Sequence, residues 1–141
     1  MRTTVYKIPG VRFIGWVEAE KLIPDIALRG IAMMTVPVLT EIHEISFVDE
    51  PQCECVTEIE GTSSSCTAKL TFLTAELLPQ GRHLAFVVTA MDGNSYIIGA
   101  REVPFTKVKF TINFGEKASQ RSCNSYEVTH SAIRTLVKCQ I

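Results

Sequence analysis

Hydrophobic and polar residues alternate through much of the second half of the chain. In residues 107–114 every second residue is apolar: Val108, Phe110, Ile112 and Phe114. Because successive side chains of a β-strand point to opposite faces, this pattern predicts a strand with one buried face. The same argument predicts strands over residues 44–48, 53–60, 66–74, 125–130 and 133–141.

The strongest local signal is a β-hairpin over residues 84–98. Two runs rich in β-branched and aromatic residues, 84–91 and 94–98, flank the dipeptide Asp92-Gly93. A tight primed turn needs a positive φ at both central residues, and an Asp-Gly pair tolerates it. We therefore predict a primed turn at Asp92-Gly93.

Turn-forming residues separate the predicted strands at fairly even intervals. They lie at 49–51, 61–65, 79–81, 92–93 and 115–124. This spacing is typical of a sandwich or a partly closed barrel, so we predict one all-β domain over residues 1–141 with about seven to nine mainly antiparallel strands. In the less regular N-terminal third, Pro24 and Gly30 bracket a segment that predicts either one short helix near residues 24–29 or an irregular connection.

The composition fits an ordinary globular protein. Of the 141 residues, 46% are hydrophobic and 21% are charged. A chain of this length can bury a sufficient core without disulfides or metals. The N-terminus lacks the apolar segment of a secretory signal, and no run approaches the ~18 apolar residues of a membrane helix. We expect a cytoplasmic protein that does not enter a membrane.

Charge is nearly balanced overall but unevenly distributed. The net charge of −1 gives no electrostatic reason to expect a nucleic-acid partner. Residues 30–68 carry seven acidic residues and no Lys or Arg, whereas residues 101–141 carry seven basic and three acidic residues. Either the two regions join neighbouring copies through opposite charge, or both supply solvated strand faces within one molecule.

Three of the five cysteines raise the question of a metal site. The five are Cys53, Cys55, Cys66, Cys123 and Cys139, and without a secretory signal we expect them to be reduced. A metal hypothesis would combine the first three with one histidine from among His43, His83 and His130. However, zinc thiolates usually lie on a knuckle turn, and a C-x-C sequence on a strand does not provide one.

A hairpin closed by residues 61–64 gives these cysteines apolar neighbours instead. It would place Ile59 opposite Cys66, Cys55 opposite Leu70, and Cys53 opposite Phe72. Cysteines in such positions behave as small hydrophobic residues. We therefore predict core thiols and assign no metal or cofactor site.

Other reactive residues form no recognisable catalytic pattern. Cys123 and His130 lack a nucleophile-elbow or oxyanion-loop motif around them. The carboxylates of Glu54, Glu58 and Glu60 alternate along one strand face, as they do on any strand solvated on one side. Lys107 and Lys109 have no aromatic residue between them for base stacking. We assign no catalytic residues, predict that the chain is not an enzyme, and place Trp16 in the core.

The C-terminal part of the chain carries a family resemblance. The segment from Asp92 to Pro104 contains a G-x-x-Y-x-I-G hairpin and leads through a polar loop to a closing strand over residues 124–130. This arrangement resembles small β-rich structural proteins of bacteriophage and prophage gene clusters. The resemblance implies a non-catalytic tail- or baseplate-type subunit. Such a subunit is made in the cytoplasm, assembles into a virion-like particle and associates with itself or with other structural subunits.

Two alternatives to a structural subunit remain open at this point. A small ligand-binding β module would use the mouth of a barrel lined by residues such as Trp16, Phe72 and Tyr96. A metal-dependent enzyme would rest on the cysteines and histidines alone.

Overall fold

A computed structural model describes residues 2–8, 10–102, 105–113, 123–132 and 134–141. In these residues two β-sheets face each other, which confirms the all-β sandwich and shows no closed barrel. The strands are β1 (Arg2–Lys7), β2 (Val11–Glu18), β3 (Val36–Pro37), β4 (His43–Glu44), β5 (Phe47–Glu60), β6 (Ser63–Thr74), β7 (Leu84–Ala90), β8 (Ser95–Ile98), β9 (Lys107–Asn113), β10 (Cys123–Ala132) and β11 (Val137–Gln140). A 3-10 turn (Ala19–Lys21) and one helix, α1 (Ile26–Ile31), complete the described elements. The number of strands exceeds the predicted seven to nine because β3 and β4 are two-residue pairings.

The two sheets differ in strand order and direction. The five-stranded sheet has the order β1-β5-β6-β10-β9 and is antiparallel throughout. The six-stranded sheet has the order β3-β11-β8-β7-β2-β4, in which only the β3–β11 pair is parallel. Both sheets therefore contain strands that are distant in sequence, such as β5 beside β1 and β11 beside β3.

The main core lies between the sheets. Inward-facing side chains of both sheets form one cluster that includes Ile14, Leu70, Phe72, Phe86, Val88 and Val128, all at most 2% exposed. A second cluster covers the opposite face of the six-stranded sheet, where Leu22 and Ile26 pack with Val87, Ile97 and Val137. The inner strand β7 of the six-stranded sheet is thus buried on both faces.

The outer face of the five-stranded sheet is polar and solvated. Lys69 and Glu127 form an ion pair on it with an Nζ–Oε1 distance of 3.6 Å. Glu127 also lies opposite Lys109 in the β9–β10 register, and Glu54 lies opposite both Lys7 and Lys69. Acidic and basic side chains from distant parts of the sequence therefore face each other within one molecule, which favours the solvated-face interpretation of the charge pattern.

The β7–β8 hairpin is present, but the predicted primed turn is wrong. The Gly93 amide donates to the Ala90 carbonyl at 3.0 Å, and Gly93 has a φ of +94° while Asp92 keeps a negative φ. Three residues, 91–93, thus form the turn, since Ala90 and Asn94 still pair. A turn followed by a left-handed glycine is the usual three-residue alternative to a primed turn.

The β5–β6 hairpin has a different register from the predicted one. Glu60 pairs with Ser63, so the turn contains only Gly61 and Thr62 rather than residues 61–64, and Gly61 has a φ of +61°. Opposite the cysteines, the structure pairs Thr57 with Cys66, Cys55 with Ala68, and Cys53 with Leu70. A shift of two residues keeps every side chain on its predicted face because the period of a strand is two.

Strand β5 is longer than predicted. The turn expected at residues 49–51 is a bulge between Val48 and Gln52, so the strands predicted over 44–48 and 53–60 join into one strand from Phe47 to Glu60. Pro51 lies within this irregularity. Proline lacks the amide hydrogen that the ladder requires, and it is tolerated in sheets at bulges and edges.

Two other element boundaries differ from the predictions. Helix α1 continues through Gly30, where a Cβ atom would lie 2.8 Å from Val137 Cγ2. Glycine here permits close packing of the helix on β11 rather than ending the helix. Strand β11 begins at Val137, not at residue 133, because Leu136 has a φ of +54° and turns the chain. The polar loop predicted over 115–124 and residues 114 and 133 lie almost entirely outside the described residues.

Candidate functional site

The predicted core thiols are buried and reduced. Cys53, Cys55 and Cys66 are at most 8% exposed, and each is a free thiol. Thr57 Oγ1 lies 3.3 Å from Cys66 Sγ, and Thr135 Oγ1 lies 3.5 Å from Cys55 Sγ. Burial raises the pKa of Cys53 to about 12 and also raises the pKa of Cys55. The burial of Cys53, Cys55 and Cys66 confirms their predicted position in the core.

The structure does not assemble the metal set considered from the sequence. Within the described residues no group of three or more His, Cys, Asp or Glu side chains is placed to hold an ion. The His43 ring stacks on Trp16 with centroids 4.2 Å apart, and the His83 ring stacks on Phe105 at 3.9 Å. His130 is buried at 2% exposure. The side chain of Cys123 lies outside the described residues, so the Cys123–His130 pair is not tested.

The aromatic residues proposed for a barrel mouth occupy different environments. Phe72 is buried between the sheets and stacks on Tyr126. Tyr96 lines a separate cavity of about 260 Å³ together with Cys55 and Cys66. Trp16 is only partly buried, packing against the core from β2, so its predicted core position is only partly met. These residues do not form the expected mouth.

The charged strand faces behave as ordinary solvated surfaces. Glu58 and Glu60 are exposed, and Glu54 is half-buried among cross-strand lysines. Lys107 and Lys109 are exposed on β9, the edge strand of the five-stranded sheet. Their arrangement offers no pair of buried carboxylates for acid–base chemistry.

A group of large apolar side chains is exposed on and after α1. We call it the apolar surface, and it consists of Leu28 (59% exposed), Ile31 (49%), Met33 (84%), Met34 (51%) and Leu39 (79%). No charged residue occurs between positions 30 and 40. Single exposed apolar residues are common on protein surfaces, whereas contiguous apolar patches are typical of interaction sites.

The backbone beneath the apolar surface is strained at Met33. After α1 the Met33 amide donates to the Gly30 carbonyl at 3.0 Å, and the Met34 amide donates to the Arg29 carbonyl at 2.9 Å. These bonds form a helix-ending motif whose left-handed residue is normally glycine. Met33 takes that position with a φ of +60°, at a cost of about 1–2 kcal/mol. A strained residue with an exposed apolar side chain is a reason to look for function.

Sequence reasoning missed the apolar surface. The run from Ile31 to Met34 is far too short to cross a membrane, and its pattern alone predicts no other role. The signal that would have found it is the uncharged stretch of residues 30–40 directly after a predicted helix. Its large apolar side chains expose apolar area unless another part of the molecule or a partner covers them.

Comparisons of the chain with protein-family models, curated proteins and solved structures find no match in any of the three. Among the described residues, no helix has the length and apolar character needed to cross a bilayer.

Proposed function

We propose that this chain is a non-catalytic structural subunit that self-associates through the apolar surface. The observation that carries the proposal is Met33, which keeps an 84% exposed apolar side chain at a position where glycine would relieve strain. The sequence resemblance suggests a more specific form of this function. The subunit would be made in the cytoplasm and would assemble into a tail- or baseplate-type particle of phage or prophage origin. That form remains a prediction.

A second copy of the chain is the partner that best suits this surface. Residues 30–40 carry no charge, so they offer a charged partner nothing to pair with. Two identical patches related by a two-fold axis would cover apolar with apolar side chains. A stable interface buries about 800 Å² on each partner, so the apolar surface would form its centre and neighbouring residues its rim.

The test is the oligomeric state over a range of concentrations, measured by native mass spectrometry and light scattering. We expect the wild type to form dimers or larger assemblies as concentration rises. Leu39→Asp should dissociate them because it places a charge in the interface. Leu77→Asp is the matched control, since Leu77 is 70% exposed but lies on the β6–β7 connection and is not one of the residues of the apolar surface.

The Met33→Gly variant should change the stability of the fold and the strength of self-association in opposite directions. It should stabilise the fold by about 1 kcal/mol because glycine accepts the left-handed conformation, yet it should weaken association because the side chain is lost. Thermal melting and native mass spectrometry of the same sample measure both effects. A wild type that stays monomeric at every concentration would disprove the proposal. So would Leu39→Asp and Met33→Gly variants that associate as tightly as the wild type.

A further inference from the structure

Strand β1 gives the five-stranded sheet an open edge. It pairs regularly with β5 from Arg2 to Lys7, and within the described residues β5 is the one strand beside it. In an antiparallel strand, every second residue directs its backbone amide and carbonyl groups away from a given neighbour. All six residues of β1 are exposed, so this edge is accessible to another strand along about 20 Å, the length of a six-residue strand.

The other three edges in the described part of the fold carry features that hinder strand addition. β3 and β4 are two residues long, and β3 contains Pro37. β9 presents the exposed side chains of Lys107 and Lys109. Short strands, proline and lysine are common means by which proteins keep a sheet edge from pairing with another chain. Residues 3–6 of β1 contain neither proline nor lysine, and the β1–β5 register has no bulge.

The middle of β1 also suits strand pairing. Residues 3–6 are two threonines, a valine and a tyrosine, which are β-branched or aromatic types that pack well across neighbouring strands. Val5 is 54% exposed and Tyr6 is 50% exposed. An added strand would therefore cover apolar surface as well as complete the backbone hydrogen bonds.

A second copy of β1 is the occupant that the charges of the strand favour. Directly opposite residues of an antiparallel pair lie on the same face of the sheet, so a two-fold axis perpendicular to the sheet pairs residues whose numbers add to an even total. The numbers of Arg2 and Lys7 add to an odd total, so these two cations do not face each other. With the axis at Thr4, Arg2 lies opposite Tyr6 of the second copy, where its guanidinium meets an aromatic ring. Residues 3–6 carry no charge by which a strand of a different protein would be selected.

We infer that two copies of this chain pair their β1 strands antiparallel around Thr4 and so join their five-stranded sheets into one. The pairing sets Thr3 opposite Val5 of the second copy on the solvated face, and Thr4 opposite its own copy on the other face. A contact along one strand edge is smaller than a stable interface, which buries about 800 Å² on each partner. This pairing is therefore weak by itself.

The pairing is independent of the apolar surface, but its consequence for assembly rests on the proposed self-association. A subunit with one two-fold interface stops at a dimer, whereas a subunit with two separate ones adds further copies. β1 and the apolar surface share no residue. Dimers formed through the apolar surface would therefore extend into larger assemblies through β1.

Disulfide trapping tests the β1 pairing without the apolar surface. Thr4→Cys is made in the Leu39→Asp background, which removes association through that surface. Two copies of residue 4 would lie directly opposite each other with Cα atoms about 4.5–5.5 Å apart, a distance that suits a disulfide. Thr3→Cys is the matched control, because two copies of residue 3 would lie diagonally at roughly 7–8 Å.

We expect Thr4→Cys to form the intermolecular disulfide at least ten times faster than Thr3→Cys. Non-reducing electrophoresis measures the rates, and mass spectrometry of the cross-linked peptide identifies the bonded residues. The Leu39→Asp parent corrects for any cross-link through the native thiols.

A charge variant tests the extension of the assembly in native mass spectrometry. Thr4→Lys places two lysines opposite each other across the two-fold axis, whereas Thr3→Lys places a lysine opposite Val5. Thr4→Lys should stop at dimers, and Thr3→Lys should still form larger assemblies. Circular dichroism verifies that both variants are folded, as substitutions at exposed positions should be.

Two outcomes would overturn the inference. The first is a Thr4→Cys disulfide that forms no faster than the Thr3→Cys disulfide, because β1 then does not pair with its copy around Thr4. The second is a wild type that stops at dimers, or a Thr4→Lys variant that forms assemblies as large as those of the wild type. A monomeric wild type would disprove self-association through the apolar surface and would leave the disulfide test to decide the β1 pairing.

Discussion

The two sheets of this sandwich have similar strands but opposite surroundings. Every residue of β7, at the middle of the six-stranded sheet, is buried, whereas every residue of β1, at the edge of the five-stranded sheet, is exposed. Helix α1 and the 3-10 turn connection cover one sheet, and solvent covers the other. One face of each sheet lies in the core between the sheets. How much a strand contributes to the free energy of unfolding therefore depends on whether its other face is covered or solvated.

The sequence of each strand reflects its surroundings. β7 reads as a nearly continuous apolar run, as strands buried on both faces do. β9 alternates strictly between polar and apolar residues, as strands with one solvated face do. We therefore expect equivalent substitutions in the two sheets to have unequal effects.

The largest expected difference concerns two phenylalanines that point into the same core. Phe86 in the six-stranded sheet is fully buried, and Phe110 on edge strand β9 is only partly buried. Phe86→Ala should reduce the free energy of unfolding by about 3–5 kcal/mol, and Phe110→Ala by about 1–2 kcal/mol. Urea unfolding of both variants measures the difference. Equal losses would show that the edge of the five-stranded sheet is as tightly packed as the centre of the other.

A pair of valines tests the two sheet faces that point away from the core between the sheets. Val87 is 0% exposed on the covered face of the six-stranded sheet, and Val56 is half-buried on the solvated face of the other. Val87→Thr should cost about 1–3 kcal/mol because it buries a hydroxyl, and Val56→Thr should change stability by less than about 0.5 kcal/mol. Thermal melts of the two isosteric variants check this. A tolerated Val87→Thr would mean that water reaches beneath α1.

The effect that is smallest near neutral pH is a pH dependence that comes from Cys139, which belongs to the covered cluster of the six-stranded sheet. Burial raises its pKa from 9.0 to about 12. The folded state therefore holds a proton that the unfolded state releases above pH 9, so stability present below pH 9 is lost as pH rises toward 12. The slope is about 1.4 kcal/mol per pH unit for one thiol.

Comparing the wild type with Cys139→Ala isolates this contribution from other groups that titrate at alkaline pH. The difference between their unfolding free energies should stay constant from pH 7 to pH 8.5 and should shrink as pH rises to 10.5. Urea unfolding at each pH measures it. A difference that does not change with pH would indicate that the Cys139 thiol ionises as easily in the folded protein as in the unfolded chain.

Much of the fold follows from short-range patterns in the sequence. The errors in the predicted register and turn type have physical causes. The β5–β6 register was wrong by two residues, yet Cys53, Cys55 and Cys66 still face the core because an even shift preserves the face. The turn at Asp92-Gly93 was placed correctly and its type was wrong, because loop length depends on how Ala90 pairs with Asn94. Alternation of apolar and polar residues thus predicts which face of the sheet a side chain lies on better than it predicts its cross-strand partner.

The candidate sites could not be predicted in this way. A cleft beside the β6–β7 connection brings Glu18 and Arg82 together with Phe105, and these residues belong to β2, that connection and the segment before β9. The apolar surface depends on where α1 docks, which the close approach of Gly30 to Val137 determines. Both features arise from long-range packing that a single sequence does not encode in any local period.

The position of β11 has a consequence for the order of folding. β11 lies between β3 and β8 and also contacts α1, so residues 137–140 connect segments that are synthesised much earlier. Contacts this distant in sequence form slowly because closing a long loop costs entropy. Until they form, α1 and β3 have no strand to dock on, and the apolar surface cannot take its final shape. Self-association through that surface in its final shape would therefore begin only after β11 has docked, and until then Ile26 and Val36 also lack the cover that β11 gives them.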